Sequence, residues 1–307
     1  MKFQELRKAM VLGTLAAFFF AFTFLLNKLM AASGGHWIWS SSLRFYWMLP
    51  FFLVIVLIRK NLLPLLAHIK ANLLAWVIWS TVGFGLFYAP LTYSASFSPS
   101  WLVASTWQFT IIAGVLLAPF IYKNRAYFSI GNFLFSLIIL LGIIIMQLSQ
   151  VATINTKTLM FGSSLIIFAA FCYPLGNRKT ILMIKGELDV YQRILGMIIC
   201  SLPFWLILNL YAILVEKSLP TAEQIQQTFI VGLFSGVIAT SLFFYATQLV
   251  SHNHKALACV ESTQSGEVIF TLIGEMIILH IALPSLYALI GMAIIIIGMI
   301  LSSLCSK

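Results

Sequence analysis

The sequence predicts an all-α integral membrane protein, with ten transmembrane helices arranged as two inverted five-helix repeats. Three observations lead there. Of 307 residues, 61% are hydrophobic and only 8% charged, whereas soluble globular chains run near 25% charged. Apolar runs of about 20 residues, enough to cross a bilayer as helix, recur along the whole chain. Five short patterns in residues 1–150 return in the same order in residues 151–307.

The first span, 9–31, follows a basic start with Lys2, Arg7 and Lys8. Its apolar run from Ala9 to Leu26 exceeds the core of a secretory signal, so a retained helix is expected. Asn27-Lys28 sits near its outer end. Span 37–58 carries Arg44 about two turns in, and span 73–95 holds Tyr88 before Pro90, a kink site. Span 99–122 places Trp107, Gln108 and Thr110 near mid-depth, and span 130–148 closes the first repeat. The second repeat comprises 158–176, 190–214, 228–249, 256–279 and 284–304. Its first helix leads into Asn177-Arg178. Arg193 lies one turn into its second helix, where snorkelling to the interface is expected. Trp37, Trp39 and Trp76 fit an interfacial aromatic belt. Connectors are short, so any chemistry lies within the bilayer.

The net charge of +10 reads as topology rather than as a nucleic-acid footprint. With a cytoplasmic N-terminus, one side holds Lys2, Arg7, Lys8, Arg59, Lys60, Lys70, Lys123, Arg125, Arg178, Lys179, Lys185, Lys255 and Lys307. The other holds Lys157 and Lys217. Thirteen against two is a strong positive-inside bias and puts both termini in the cytoplasm. Cys172, Cys200, Cys259 and Cys305 stand singly, without a CxxC. No disulfide framework, metal site or cofactor is expected. His252-Asn253-His254 reads as a solvated turn.

The repeat is visible in each pair of helices. TLAAFFFAFTFLLNK (14–28) aligns with SLIIFAAFCYPLGNR (164–178), and LPFFLVIVL (49–57) with LPFWLILNL (202–210). Phe87-Tyr88-Ala89 aligns with Phe244-Tyr245-Ala246, VAST (103–106) with VEST (260–263), and LIILLGII (137–144) with AIIIIGMI (293–300). Because each half has an odd number of helices, the second enters the membrane from the opposite side. Two inverted bundles about a midplane site suit alternating access, so a transporter of a small-molecule substrate is expected.

Three of the eight acidic residues crowd the ninth span: Glu261, Glu267 and Glu275. Their repeat mates are Ala104, Thr110 and Ala118, so symmetric packing does not require them. A charge at the helix centre costs about 2.5–3.5 kcal/mol on insertion scales. Glu267 lies nearest the centre and is the first candidate for a proton-coupling carboxyl, with Glu261 second. Glu275 reads as structural. A stripe of Glu261, Gln264, Ser265, Glu267 and Thr271 should face a cavity, with Ile269, Phe270, Ile273 and Ile277 outward. Trp107, Gln108, Thr110, Tyr88, Tyr245, Gln264 and Arg44 are candidate substrate contacts. Aromatic faces and one carboxylate suit lipophilic cations. Asn27, Lys28, Asn177 and Arg178 are candidate gate or interface residues. Gly232 and Gly236 form a GxxxG spacing suited to close helix packing. No nucleotide motif is present, so protons or another ion gradient would supply energy. An intramembrane enzyme is the other class; His280 with Glu275 is its nearest approach, and a third member is lacking. A scaffold without transport is the third. The sequence leaves monomer and homodimer open.

LFYAPLTYSASFSPSWLVAST (86–106) and the pairing of Glu261 with Gly274-Glu275 14 residues later resemble the drug/metabolite transporter superfamily. Ser262 stands where that superfamily often has proline. FTFLLNKLM (22–30), GGHWIWSSSLRFYWMLPFF (34–52) and ESTQSGEVIFTLIGE (261–275) are more closely similar to its bacterial multidrug resistance efflux transporter family. The resemblance covers nearly the whole chain. It implies a ten-helix exporter of small amphipathic or cationic solutes in a bacterial cytoplasmic membrane, in exchange for protons. The superfamily also moves amino acids and other metabolites, which gives the alternative. Its small four-helix exporters use a glutamate in their first helix. The span 9–31 has none, so that site does not transfer.

Overall fold

The computed structural model describes residues 3–122, 130–151, 154–251 and 253–304. Lys2, Lys123, Arg125, His252, Cys305 and Lys307 lie outside the described residues, as do the side chains of His254 and Lys255. Among the described residues every regular element is helical. Seven helices are long and apolar enough to cross a membrane.

The chain runs through α1 (Phe3–Ala32), α2 (Trp37–Ile58), a short α3 (Leu62–Ala71) and α4 (Leu73–Ser94). Next come α5 (Ser100–Trp107), α6 (Phe109–Tyr122) and α7 (Ile130–Leu148). Then follow α8 (Thr156–Ile184), α9 (Val190–Leu214) and α10 (Ala222–Leu249). The last are α11 (His254–Ser262), α12 (Gly266–Ile278) and α13 (Leu286–Leu304).

Local chemistry sets the ends. Asp189 and Gln192 form a capping box at the start of α9, with reciprocal bonds of 2.9 and 2.8 Å. Thr221 accepts from the Gln224 amide and starts α10 six residues before the expected 228. The extension is polar but satisfied, since Gln224 Nε2 donates to His36 O and Ser40 Oγ. The helix α3 falls in a stretch read from the sequence as a connector. Leu65 and Ile69 hold it to the body, while Leu63 stays exposed. Trp76 is fully buried, its indole donating to His68 Nδ1 at 3.0 Å. It is a packing residue, not part of an interfacial belt, because α3 folds over it.

The helices exchange partners. α1 packs on α10 and α12; α8 packs on α4 and α6. α2 meets α9, and α7 meets α13. The outer surface is apolar, with Leu206, Ile207, Leu210, Leu214, Ile297 and Ile300 exposed. Such a belt needs lipid in place of water. Two helices loosen into π geometry, at Thr81–Gly85 in α4 and Gly232–Ala239 in α10, a local form that recurs at functional sites. Gly232 and Gly236 lie against Trp47 and Met48 of α2, giving the close packing that their spacing predicts.

Gly83 and Gly176 bring α4 and α8 into backbone contact. A Cβ on Gly176 would strike Gly83 and come within 2.8 Å of Trp79 O. Gly176→Leu should therefore destabilise by at least the ~1–3 kcal/mol of an overpacked core. The check is the unfolding temperature of the purified variant in detergent, which should fall clearly below that of the native chain.

Candidate functional site

Two helical runs are broken at mid-length. Gln108 interrupts the run from α5 to α6, and a 3₁₀ turn, Thr263–Ser265, separates α11 from α12. Broken helices at membrane depth are tolerated where they are buried in protein or line a cavity, and transporter sites form at such breaks.

A cavity of about 500 Å³ lies against these breaks. Thr110, Tyr173, Asn177, Arg178, Arg193, Phe243, Phe244, Thr247, Glu261 and Gln264 line it, and it reaches the surface at Lys185 and Gly186, both exposed. A second cavity of about 30 Å³ is near the share of a single water in liquid. Thr23, Arg44, Trp107 and Glu267 surround it. Tyr173 and Gln264 line both cavities and form the wall between them.

Each glutamate has its own setting. Glu267 is 1% exposed and its Oε2 has no hydrogen-bond partner. Arg44 shares its cavity and interacts with its charge, but no salt bridge among the described residues joins them. Arg44 instead donates to Thr23 Oγ1 at 3.2 Å and lies 4.3 Å from the Tyr88 ring centroid. Glu261 is ion-paired: both its oxygens are 3.2 Å from Arg178 Nη2. Arg178 Nη1 also donates to Gly114 O at 2.6 Å. A Cβ on Gly114 would sit 2.9 Å from Arg178 Nη2, so glycine there leaves room for the guanidinium. Glu275 accepts from the amides of Ser100 and Trp101 at 3.1 and 3.0 Å. It caps the start of α5 from another helix, with Lys28 near enough for their charges to interact.

That capping supports the structural reading of Glu275, and His280 forms no ion pair with it among the described residues. Glu275→Ala should lose about 1–2 kcal/mol, the scale of a removed helix cap. A lowered unfolding temperature checks this, and Glu275→Gln should recover part of it because an amide oxygen still accepts one bond.

The predicted residues divide. Thr110, Asn177, Arg178, Glu261 and Gln264 meet at the large cavity; Arg44, Trp107, Gln264 and Glu267 meet at the small one. Ile269, Ile273 and Ile277 face outward as expected. Thr271 is fully buried with an unpartnered hydroxyl. Gln108 folds back onto its own helix, donating to Ala104 O at 3.0 Å. Tyr88 supports the site from behind, its hydroxyl accepting from Asn27 Nδ2 at 3.2 Å. Lys28 donates to Ala95 O at 3.3 Å, tying α1 to the end of α4.

Tyr245 is not brought to the site. It is 39% exposed, with Lys8 beside its ring. The geometric partner of Tyr88 is Phe244: Arg193 lies 4.4 Å from the Phe244 centroid as Arg44 lies over Tyr88. An alignment displaced by one residue turns a helical side chain by 100°, which moves Tyr245 outside. Arg193 also departs from expectation. It is 2% exposed on the cavity wall and does not snorkel. Tyr173, Phe243, Phe244 and Thr247 also line the large cavity, and being uncharged they carry no mark in the sequence.

Among the described residues no group of three His, Cys, Asp or Glu is placed to hold a metal ion. A protein-family model described as "Putative multidrug resistance efflux transporter" matches residues 7–307. The "Uncharacterized protein YjlA" of Bacillus subtilis (strain 168) is 47% identical, over 98% of this chain and 95% of that protein. An "Uncharacterized 42.1 kDa protein in intracellular alkaline protease 3'region" of Shouchella clausii is 45% identical, over 85% of this chain and 70% of that protein. A crystal structure with 13% identity has the same fold, with a TM-score of 0.68 over 97% of both chains. With broken helices around a cavity, an apolar outer belt and a family match across nearly its whole length, this chain belongs to the multidrug resistance efflux transporter family of the drug/metabolite transporter superfamily, and is a multi-pass membrane transporter.

Proposed function

We propose that the protein is a secondary active exporter of small amphipathic solutes, driven by protons, with Glu267 as the coupling carboxyl. One observation carries this: Glu267 is buried beside a water-sized cavity, its Oε2 without a hydrogen-bond partner, and Tyr173 and Gln264 line both that cavity and the large one. A carboxyl at that place can exchange a proton through the larger cavity without being solvated itself. Glu261 is the second candidate, weakened by its pairing with Arg178.

The ten helical spans are read as two inverted repeats, 1–150 and 151–307, in a bacterial cytoplasmic membrane with both termini cytoplasmic. The exchanged packing of α1 and α8 supports this, as do the paired helix breaks and the paired π segments. With that topology the large cavity opens to the cytoplasm. Arg178 with Glu261, and Lys28 with Glu275 and α5, then stand toward opposite faces as gate contacts. Alternating access about the midplane follows.

The second reading is an exporter of amino acids or other metabolites. The cavity wall favours it over purely cationic cargo, because Arg178, Lys185 and Arg193 stand there against Glu261 alone.

The test is proton movement in proteoliposomes loaded with a pH dye, on adding lipophilic cations, carboxylates and neutral metabolites. Solute-driven proton flux in the native protein, absent in Glu267→Gln, is the expected result. Flux that survives in the variant would sink Glu267 as the coupling site.

A further inference from the structure

Among the described residues, four cations inside the helices (Lys28, Arg44, Arg178, Arg193) stand against three carboxylates (Glu261, Glu267, Glu275). Glu261 holds Arg178, Glu275 faces Lys28, and Glu267 faces Arg44 across the small cavity. Arg193 is the remainder. It lies on the wall of the large cavity, 2% exposed, with an unpartnered Nε and no carboxylate paired to it among the described residues. It lies over the π face of Phe244, with the neutral Tyr173 on the same wall. A guanidinium does not shed its charge at any physiological pH. A buried cation of this kind is costly unless something supplies its counter-charge.

The repeat shows where the counter-charge is missing. Arg44 in α2 and Arg193 in α9 are alike in setting, each over an aromatic ring at nearly the same distance. Arg44 is opposed by Glu267. The mate of Glu267 is Thr110, and Thr110 lines the large cavity with Arg193. One half therefore presents a carboxylate, and the other a hydroxyl and about 500 Å³ of open volume. We propose that a carboxylate of the transported solute takes the empty place opposite Arg193, with its apolar body against Phe243 and Phe244. This deepens the transporter reading by naming the cargo class. Glu261 does not oppose it, being neutralised by Arg178.

Binding can be tested without transport. The purified full-length protein in detergent would be unfolded thermally with 3-phenylpropionate, its neutral amide 3-phenylpropionamide, or the phenethyltrimethylammonium cation. A ligand that binds only the folded state raises the unfolding temperature, and raises it further the more its concentration exceeds its Kd. The expected result is a rise with the carboxylate alone, lost in Arg193→Gln and reduced in Arg193→Lys, which keeps the charge without the planar fork. Should Arg193→Gln fail to fold, Thr110→Glu serves instead. It builds the missing acid into the protein, and should remove the response to the carboxylate. No rise with the carboxylate would overturn the proposal. So would a rise with the cation alone, or an equal rise in Arg193→Gln. Carboxylate binding without proton flux would instead count only against proton coupling.

Discussion

Glu267→Gln is expected to lower proton-driven solute movement by about 10²-fold or more, the scale on which positioned proton-transfer groups act. Solute-for-solute exchange should be largely retained. The substitution keeps the shape of the side chain, so packing against Thr23, Phe24 and Trp107 around the small cavity is preserved. What disappears is the one carboxyl that lines that cavity. On the proposed reading solute exchange uses the large cavity, which Glu267 does not line. The two activities are therefore separable: labelled-solute exchange between equal pools reads one, and a pH dye reads the other. There is a second consequence. Glutamine leaves Arg44 without its opposing carboxylate, so the variant should also be less stable. Adding Arg44→Met should restore stability but not coupling. A variant that loses both activities together, and regains both with Arg44→Met, would mean that Glu267 serves only to hold Arg44.

Much of the fold could be read from hydropathy, because lipid imposes a length and an apolarity on each crossing. α2, α9 and α4 begin or end within a residue of the expected positions. The misses have physical causes. At ten residues, α3 is too short to register as a crossing, and its role is to cover Trp76. The start of α10 is polar, and only His36 and Ser40 make Gln224 at home in the interior.

Within the site, the conspicuous acids were legible because a charge in an apolar span has no cheap explanation. Their partners were not. The bond between Glu261 and Arg178 joins residues 83 apart in sequence, and Glu275 serves backbone amides of residues 100 and 101. Depth along a helix assumes a flat membrane boundary. A cavity opening at Lys185 and Gly186 breaks that assumption, and so Arg193 is a wall residue instead of an anchor. Tyr173 carries no charge to mark it, although it divides the two cavities.

The pairing of Glu261 with Arg178 carries the other large expected effect. Arg178 joins three helices: its own α8, α11 through Glu261, and α6 through Gly114 O. Hydrogen bonds to charged groups contribute about 1.5–3 kcal/mol, and here the side chains are 11% and 27% exposed, so the lower end applies. The two single substitutions should not be equivalent. Arg178→Gln leaves the more exposed carboxylate unpaired, and Glu261→Gln leaves the less exposed guanidinium unpaired, so Glu261→Gln should lower the unfolding temperature more. The double variant should cost less than the sum of the two, with an interaction of about 0.5–3 kcal/mol as found for contacting pairs. If this bridge also holds the cavity mouth, the double variant should show faster solute exchange than either single variant, because the link from α8 to α11 no longer has to break in each cycle. Strict additivity in the unfolding measurement would remove the bridge as an energetic link. Unchanged exchange rates would then remove Arg178 as a gate residue.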